Sequence, residues 1–248
     1  MNRFFCPSTD IANNEIVIKD KQKVRHITRS LCLKPKEKVL VFDENGFEYL
    51  CVISKIEDKV FLEVKKKSSP DKNYPKINLT IACAIPKKAK FDDIVDKLTQ
   101  LGVSRIIPLI TQRVIVKLGQ EKEERRLKRW RRIAESASQQ SQRHDIPLIG
   151  GVQDFKKLIL ESENFNLKLI PTLFGKRKSI KEALSSLMPS SLDKAKILCL
   201  IGPEGDFSKE EVDIAKKAGF VPISLGDLVL RVDTAAIALA SYLSIYKR

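Results

Sequence analysis

The sequence predicts an α/β protein, a parallel sheet with helices on both faces preceded by a small β-barrel, and three observations lead there. Beyond about residue 73, short apolar runs of strand length alternate with amphipathic helical stretches, the order of a parallel sheet. Before residue 70 the apolar runs are short and split by tight-turn signals. Near the carboxyl end, two glycine-bearing turns follow strand-like runs, and turns at strand ends form the crevice where open α/β sheets bind ligands.

In the amino-terminal part, residues 38–42, 47–53 and 59–64 are strand-like, separated by Asp43-Glu44-Asn45-Gly46 and by Glu57-Asp58. Lys65-Lys66-Lys67-Ser68-Ser69-Pro70 is charged, small and proline-ended, the composition of a linker. This divides the chain into a barrel domain at residues 1–70 and a second domain at residues 73–248.

The second domain opens with a strand at residues 77–85. A helix follows that carries Phe91, Ile94, Val95, Leu98 and Leu101 on one face and stops at Gly102, and then a strand at residues 103–110. Residues 121–143 form one long helix with Leu127, Trp130, Ile133, Ala134 and Ala137 inward. Its other face holds Arg125, Arg126, Lys128, Arg129, Arg131 and Arg132. A third strand, residues 166–171, ends at Thr172-Leu173-Phe174.

The run Lys196-Ile197-Leu198-Cys199-Leu200-Ile201 is a further strand, cut off by Gly202-Pro203-Glu204-Gly205. Ser208 and Glu211 have capping-box spacing, and Val212, Ala215 and Ala218 continue the helix until Gly219. Residues 220–225 make the last strand, Gly226 breaks it, and Asp233 or Thr234 caps a closing helix at residues 235–246.

Composition limits the function. With 248 residues and 43% hydrophobic content a sizeable core is available. Lys and Arg outnumber Asp and Glu by 46 to 31, a balance of +15 that favours a polyanionic partner, with nucleic acid leading. Cys6, Cys32, Cys51, Cys83 and Cys199 are odd in number, widely spaced and without a CxxC, so neither a disulfide framework nor a zinc site is signalled and a reducing cytoplasm fits. No apolar signal core precedes residue 23, and the closing helix is too short to span a bilayer, so no membrane association is expected. Among the ten glycines no two lie two or five positions apart, which excludes both GxGxxG and the GxxxxGK phosphate loop. Two histidines and no HExxH give a catalytic metal no support, and the chain lacks a GxSxG elbow at its glycine turn.

Three blocks, Ile201-Gly202-Pro203-Glu204-Gly205-Asp206-Phe207-Ser208, Ser224-Leu225-Gly226 and Leu230-Arg231-Val232-Asp233-Thr234-Ala235-Ala236, fall in one order and spacing. They resemble the signature of the ribosomal RNA small subunit methyltransferase E family. Met1-Asn2-Arg3-Phe4-Phe5, residues 26–34 and Gly46-Phe47-Glu48-Tyr49 are similar to that family's PUA-like, RNA-binding barrel. Residues 97–103 and Ser136-Ala137-Ser138-Gln139-Gln140-Ser141-Gln142-Arg143 extend the resemblance. It departs where the family usually has Gly at Asp206, Thr-Glu at Val232-Asp233, Arg-Ile at Leu228-Val229, Gly-Asp at Glu37-Lys38, and Glu and Gly at Gln139 and Gln142. At Asp206 a carboxylate beside the cofactor loop could alter its backbone conformation.

The resemblance implies a SPOUT-class domain with a trefoil-knotted chain, S-adenosyl-L-methionine as cofactor, and methylation of N3 of a uridine in 16S ribosomal RNA of the small subunit. It also implies a homodimer in which the last helix takes part. The cofactor would lie against Leu173, Ile201, Gly202, Pro203, Glu204, Gly205, Leu225, Gly226, Leu230, Arg231, Thr234 and Ala235. Arg231 is the candidate cation for the uracil carbonyl oxygens, or else a buried partner of Glu204 or Asp233. Glu204 is a candidate base, or holds its loop. For RNA the candidates are Arg3, Arg25, His26, Arg29, Arg113, Arg129, Arg132 and Arg143, because guanidinium forks match phosphate oxygens; a solvated or ion-paired surface is the plain alternative for each. Two other functions stay open: an RNA-binding module without catalysis, its pocket spoiled by Asp206, and a methyltransferase acting on another RNA such as transfer RNA.

Overall fold

The computed structural model describes residues 1–12, 14–69, 78–86, 90–114, 119–185 and 195–245. The expected domain start at residue 73, together with Pro70, Ile77 and Tyr246 at the edges of expected elements, lies outside them. The chain divides into two compact units, one of Met1–Tyr74 with Ser138–Ile146 and one of Pro75–Ala137 with Pro147–Arg248.

The first unit is a curled six-stranded sheet. Its elements are β1 (Arg3–Phe5), β2 (Ile11–Ala12), β3 (Glu15–Ile18), α1 (Lys21–Arg25) running on into a π-helical turn (His26–Ser30), β4 (Lys38–Phe42), β5 (Glu48–Ile56) and β6 (Val60–Ser68). The order is β1-β4-β5-β6-β3-β2, with β1 parallel to β4 and the other pairs antiparallel. Alternating residues such as Val39, Val41, Cys51, Ile53, Val60 and Leu62 point inward and form one core with Ile16, Ile18 and Ile27. Asp20 starts α1 by accepting the backbone N–H groups of Gln22 and Lys23.

The lysine run expected as a linker continues β6 as far as Ser68. The reason is packing on aromatic rings: Lys67 pairs with Tyr49 across the ladder, and its ammonium lies 4.2 Å from the Phe47 ring centroid and 5.5 Å from that of Tyr49.

The second unit holds a parallel sheet. In order come β7 (Asn78–Ala84), α2 (Lys90–Gln100), β8 (Arg105–Ile110), α3 (Gln120–Gln140), β9 (Leu148–Ile149), β10 (Gln153–Asp154), α4 (Phe155–Leu160), β11 (Leu167–Pro171), α5 (Ile180–Leu184), β12 (Lys196–Ile201), α6 (Lys209–Lys217), β13 (Val221–Ile223) and α7 (Val232–Ile245). The sheet order is β10-β8-β7-β12-β11-β13, with β9 beside β8. Its central strands are buried on both faces, which explains their unbroken apolar runs. Phe155, Leu158 and Ile159 of α4 and Val212 and Ala215 of α6 pack on Ala82, Ile107, Ile170, Leu198 and Leu200. α7 covers β7 and β12 and packs against α2.

The long helix expected to reach Arg143 ends at Gln140, ahead of Gln142 with its left-handed φ of 57°, and two further boundaries beside the cleft differ from the expected ones. α7 begins at Val232, because the Ala235 N–H already donates to the Arg231 carbonyl at 2.8 Å. Asp233 therefore lies in the first turn, where its charge favours the helix dipole, instead of capping it. β13 stops at Ile223, since the Ser224 hydroxyl accepts the Gly226 N–H at 3.3 Å and donates to the Gly226 carbonyl at 3.0 Å, turning the chain off the sheet.

Candidate functional site

β11 lies between β12 and β13, all parallel, so their carboxyl ends open side by side. Three loops leave these ends, at residues 172–179, 202–208 and 224–231. They surround a cleft open to solvent. Large apolar side chains stand open to solvent here: Leu173 is 52% exposed, Leu228 79% and Val229 72%. An exposed apolar cluster inside one concave site is the mark of a binding cleft.

The second loop is built around a turn in which the Asp206 N–H donates to the Pro203 carbonyl at 2.9 Å. Asp206 takes a left-handed conformation, φ 60°, which glycine adopts freely and aspartate tolerates. The aspartate thus keeps the backbone that glycine would give. Its Oδ2 accepts the Leu173 N–H at 2.7 Å and the Thr172 hydroxyl at 3.0 Å, while Oδ1 accepts the Phe207 N–H at 2.7 Å. Phe207 is buried in the core beneath, and a Cβ on Gly202 would come within 3.0 Å of its ring, so the loop fits closely only with glycine there. In the third loop Gly226 has φ 117°, outside the range of ordinary side-chain-bearing residues.

Of the twelve residues expected around a cofactor, Leu173, Ile201, Gly202, Pro203, Glu204, Leu225, Gly226, Leu230 and Ala235 line this cleft. Gly205, Arg231 and Thr234 do not. Gly205 is at the exposed far side of the turn, where its carbonyl accepts a hydrogen bond from Nη1 of Arg113. Thr234 is exposed on the first turn of α7. Arg231 lines a second cavity with Glu204, Asp233, Val232 and Pro86. Glu204 and Val232 belong to both cavities, so the two adjoin.

Arg231 is exposed, and its side chain has no hydrogen bond or ion pair among the described residues. That overturns the alternative of a buried partner for Glu204 or Asp233. Glu204 is likewise exposed, without a partner among the described residues. Cys83 is buried on β7, where burial, with Asp233 and Glu204 adding, pushes its thiol pKa up.

The basic residues separate into two kinds. Arg25, His26 and Arg29 are exposed on α1 and the turn after it. Arg132, with Lys128 and Arg131, is exposed on α3 and has no hydrogen bond or ion pair among the described residues, whereas Arg129 lies 2.5 Å from Asp92. Arg3 and Arg143 are structural, contrary to expectation. The Arg3 side chain is 8% exposed, lies 4.4 Å over the Phe42 ring and is 2.5 Å from Glu48; burial lowers its pKa against the pull of Glu48. The Arg143 side chain is also 8% exposed and is 3.0 Å from Asp145. Neither guanidinium stands free for a phosphate. Arg113 is exposed but tied to Gly205, which makes it a brace of the second loop.

Residues outside the expected cofactor set also line the cleft: Pro171, Thr172, Arg177, Asp206, Ile223, Leu228, Val229 and Val232. A signal existed for Leu228-Val229, two large apolar residues beside a glycine turn and outside any strand. Arg177 reaches back to donate to the Thr172 carbonyl at 3.3 Å, a contact that only the folded loop creates. Among the described residues, no group of three or more His, Cys, Asp or Glu side chains is placed to hold a metal, and no helix is long and apolar enough to cross a membrane.

Residues 72–244 match the family described as RNA methyltransferase domain, and residues 18–67 match the RNA methyltransferase PUA domain. Among similar proteins, the ribosomal RNA small subunit methyltransferase E of Mesomycoplasma hyopneumoniae is 32% identical over 90% of this chain and 95% of its own. That of Bacillus subtilis is 28% identical over 90% of this chain and 87% of its own. The crystal structure of a ribosomal RNA small subunit methyltransferase E from Neisseria gonorrhoeae, bound to S-adenosyl methionine, superposes with a TM-score of 0.84 at 26% identity, covering 99% of this chain and 98% of that one.

Proposed function

Because this chain belongs to the ribosomal RNA small subunit methyltransferase E family, with a SPOUT-type methyltransferase unit behind a PUA-type barrel, we propose that it methylates N3 of a uridine in 16S ribosomal RNA. The observation that carries this reading is the pair of adjoining cavities. One is glycine-lined and offers exposed apolar side chains, the other holds Arg231 and Asp233, and Glu204 and Val232 line both. A methyl donor in the first would face a base in the second.

The first cleft fits S-adenosyl-L-methionine. Leu173, Leu225, Leu228, Val229 and Leu230 offer apolar surface for an adenine ring, and backbone at Gly202 and Gly226 is uncovered for close approach. When bound, this cofactor supplies a methyl group activated on a sulfonium, so no metal is needed for the transfer.

In this reading Arg231 extends its guanidinium over the uracil carbonyl oxygens and holds the negative charge that develops as N3 loses its proton. Glu204, open on the same cavity, accepts that proton. Holding the two reactants in line contributes about 7–11 kcal/mol in favourable cases, and the rigid ends of β11, β12 and β13 supply that alignment. Arg25, His26 and Arg29 on the barrel unit and Lys128, Arg131 and Arg132 on α3 bind RNA phosphates, a term that sets affinity without sequence information. The knotted chain path and a homodimer with α7 at the contact belong to the same reading, as does a cytoplasmic site of action.

The test incubates the protein with labelled S-adenosyl-L-methionine and either assembled small subunits or naked 16S RNA, then maps the labelled nucleoside. The expected product is N3-methyluridine at one site. Label on transfer RNA alone, or on no RNA, would overturn the assignment.

A further inference from the structure

This inference rests on the reading that the cleft takes the methyl donor, and it concerns how this chain holds that cleft open to a fixed width. β11 and β12 pair through Leu167–Ile197, Lys168–Leu198 and Leu169–Cys199, and beyond Leu169 the β11 ladder passes to β13. The two loops that leave these strands are therefore no longer joined by the β11–β12 ladder where they line the cleft. Asp206 joins them. One oxygen of its carboxylate accepts both the Leu173 N–H (2.7 Å) and the Thr172 hydroxyl (3.0 Å), and the other accepts the Phe207 N–H (2.7 Å). Phe207 is buried in the core, packed on Phe155 with ring centroids 5.7 Å apart, so the carboxylate is anchored from below.

We propose that Asp206 is a positioning residue of the cofactor cleft: its carboxylate ties the Leu173 wall to the loop at residues 202–206, and binding of the methyl donor depends on that tie while binding of RNA does not. Two physical points support a positioning role over an obstructing one. The left-handed backbone at Asp206 leaves the turn in the shape a glycine would give, so the loop is undistorted. The carboxylate oxygens are engaged by three loop donors at 2.7–3.0 Å, and hydrogen bonds to an ionised acceptor are roughly twice as strong as neutral ones.

Asp206→Gly is the cleanest probe, because glycine keeps φ 60° without strain and removes only the tie. The dissociation constant for S-adenosyl-L-methionine, read by calorimetry, should rise by at least about ten-fold, the scale of a lost charged hydrogen bond. Affinity for 16S RNA should stay unchanged, and turnover at saturating donor should fall far less than affinity. Asp206→Asn, which keeps one acceptor oxygen, should recover part of the donor affinity. In the unliganded wild type the Leu173 amide should exchange slowly with deuterated solvent, and faster in the glycine variant. Equal or tighter donor binding by Asp206→Gly, with wild type binding normally, overturns this proposal alone. Absence of donor binding by wild type overturns the function reading and this proposal with it. Should the glycine variant not fold, the asparagine variant and the wild-type exchange rate decide: full wild-type affinity in the former, or unprotected exchange at Leu173 in the latter, refutes the tie.

Discussion

The carboxylate of Glu211 accepts the backbone N–H of Gln112 at 2.8 Å, joining the first turn of α6 to the loop that leaves β8. Its other oxygen accepts the Ser208 N–H at 2.9 Å, while the Glu211 N–H donates to the Ser208 hydroxyl at 3.1 Å. A capping box that the Ser-x-x-Glu spacing announces locally thus also fixes a distant loop, the one from which Arg113 reaches the Gly205 carbonyl. Because Glu211 is buried, removing its carboxylate leaves two backbone N–H groups without their acceptor. Glu211→Ala should lose about 2–4 kcal/mol in denaturant unfolding, and Glu211→Gln less than half of that. Unchanged stability in the alanine variant would contradict the double role.

Arg231 tests the chemistry. It lies outside the donor cleft, in the adjoining charged cavity, with no partner among the described residues to lose. Arg231→Ala should therefore lower kcat by about 10²–10³-fold, as for removal of one preorganised charge-stabilising group, while the donor Kd moves by less than about two-fold. Equal activity would remove Arg231 from the mechanism. A large loss of donor affinity would place it in the cofactor site.

How far the sequence reaches is clear from particular residues. β7 and β12 were legible because strands buried on both faces have to be continuously apolar, and the loop at residues 202–205 because glycine and proline punctuate a strand end. Position 206 was visible only as an aspartate where glycine is usual in the family. That it keeps the glycine conformation and bonds Leu173 depends on a loop 33 residues away in the chain. Arg3 departs from its expected role for a similar reason, since its partner Glu48 is 45 residues distant and meets it only through the β1–β4–β5 register. Arg143 is different: Asp145 stands two residues on, so its ion pair could have been foreseen. The lysines of β6 look like a linker in composition, because composition counts charges and not the rings of Phe47 and Tyr49 over which the Lys67 ammonium lies.

The two kinds of arginine give a paired prediction on RNA binding. Arg132 is exposed, with no ion pair among the described residues, so Arg132→Ala should weaken 16S RNA binding about equally for all sequences and lower the slope of log K against log salt by about one. Arg3→Ala should leave that slope unchanged and destabilise the barrel unit, because Glu48 would lose the charge 2.5 Å away. Filter binding across a salt series, with thermal unfolding of both variants, checks the pair. A lowered slope for Arg3→Ala would return Arg3 to the RNA surface.

Tyr49 should make the barrel unit lose stability at alkaline pH. Its hydroxyl donates to Oδ2 of buried Asp43 at 3.0 Å, while Oδ1 of Asp43 accepts the N–H groups of Asn45 and Phe47 and so shapes the turn between β4 and β5. Burial first, and then the bond and charge of Asp43, push the Tyr49 pKa up to about 12. An unfolded tyrosine titrates near 10, so between about 10 and about 12 the unfolded state binds fewer protons than the folded one, and stability falls as pH rises. Below about 10 this contribution is fully present. Tyr49→Phe cannot ionise, so it should remove the share of that slope due to Tyr49 and leave the share of the buried Cys6 and Cys51 thiols, which burial also pushes up to about 12, at a cost of about 1 kcal/mol at neutral pH for the lost bond to Asp43. Denaturant unfolding of both proteins across this range, with tyrosinate absorbance as a second signal, checks it; parallel stability curves for wild type and Tyr49→Phe above pH about 10 would show that the Tyr49–Asp43 pair does not govern alkaline unfolding.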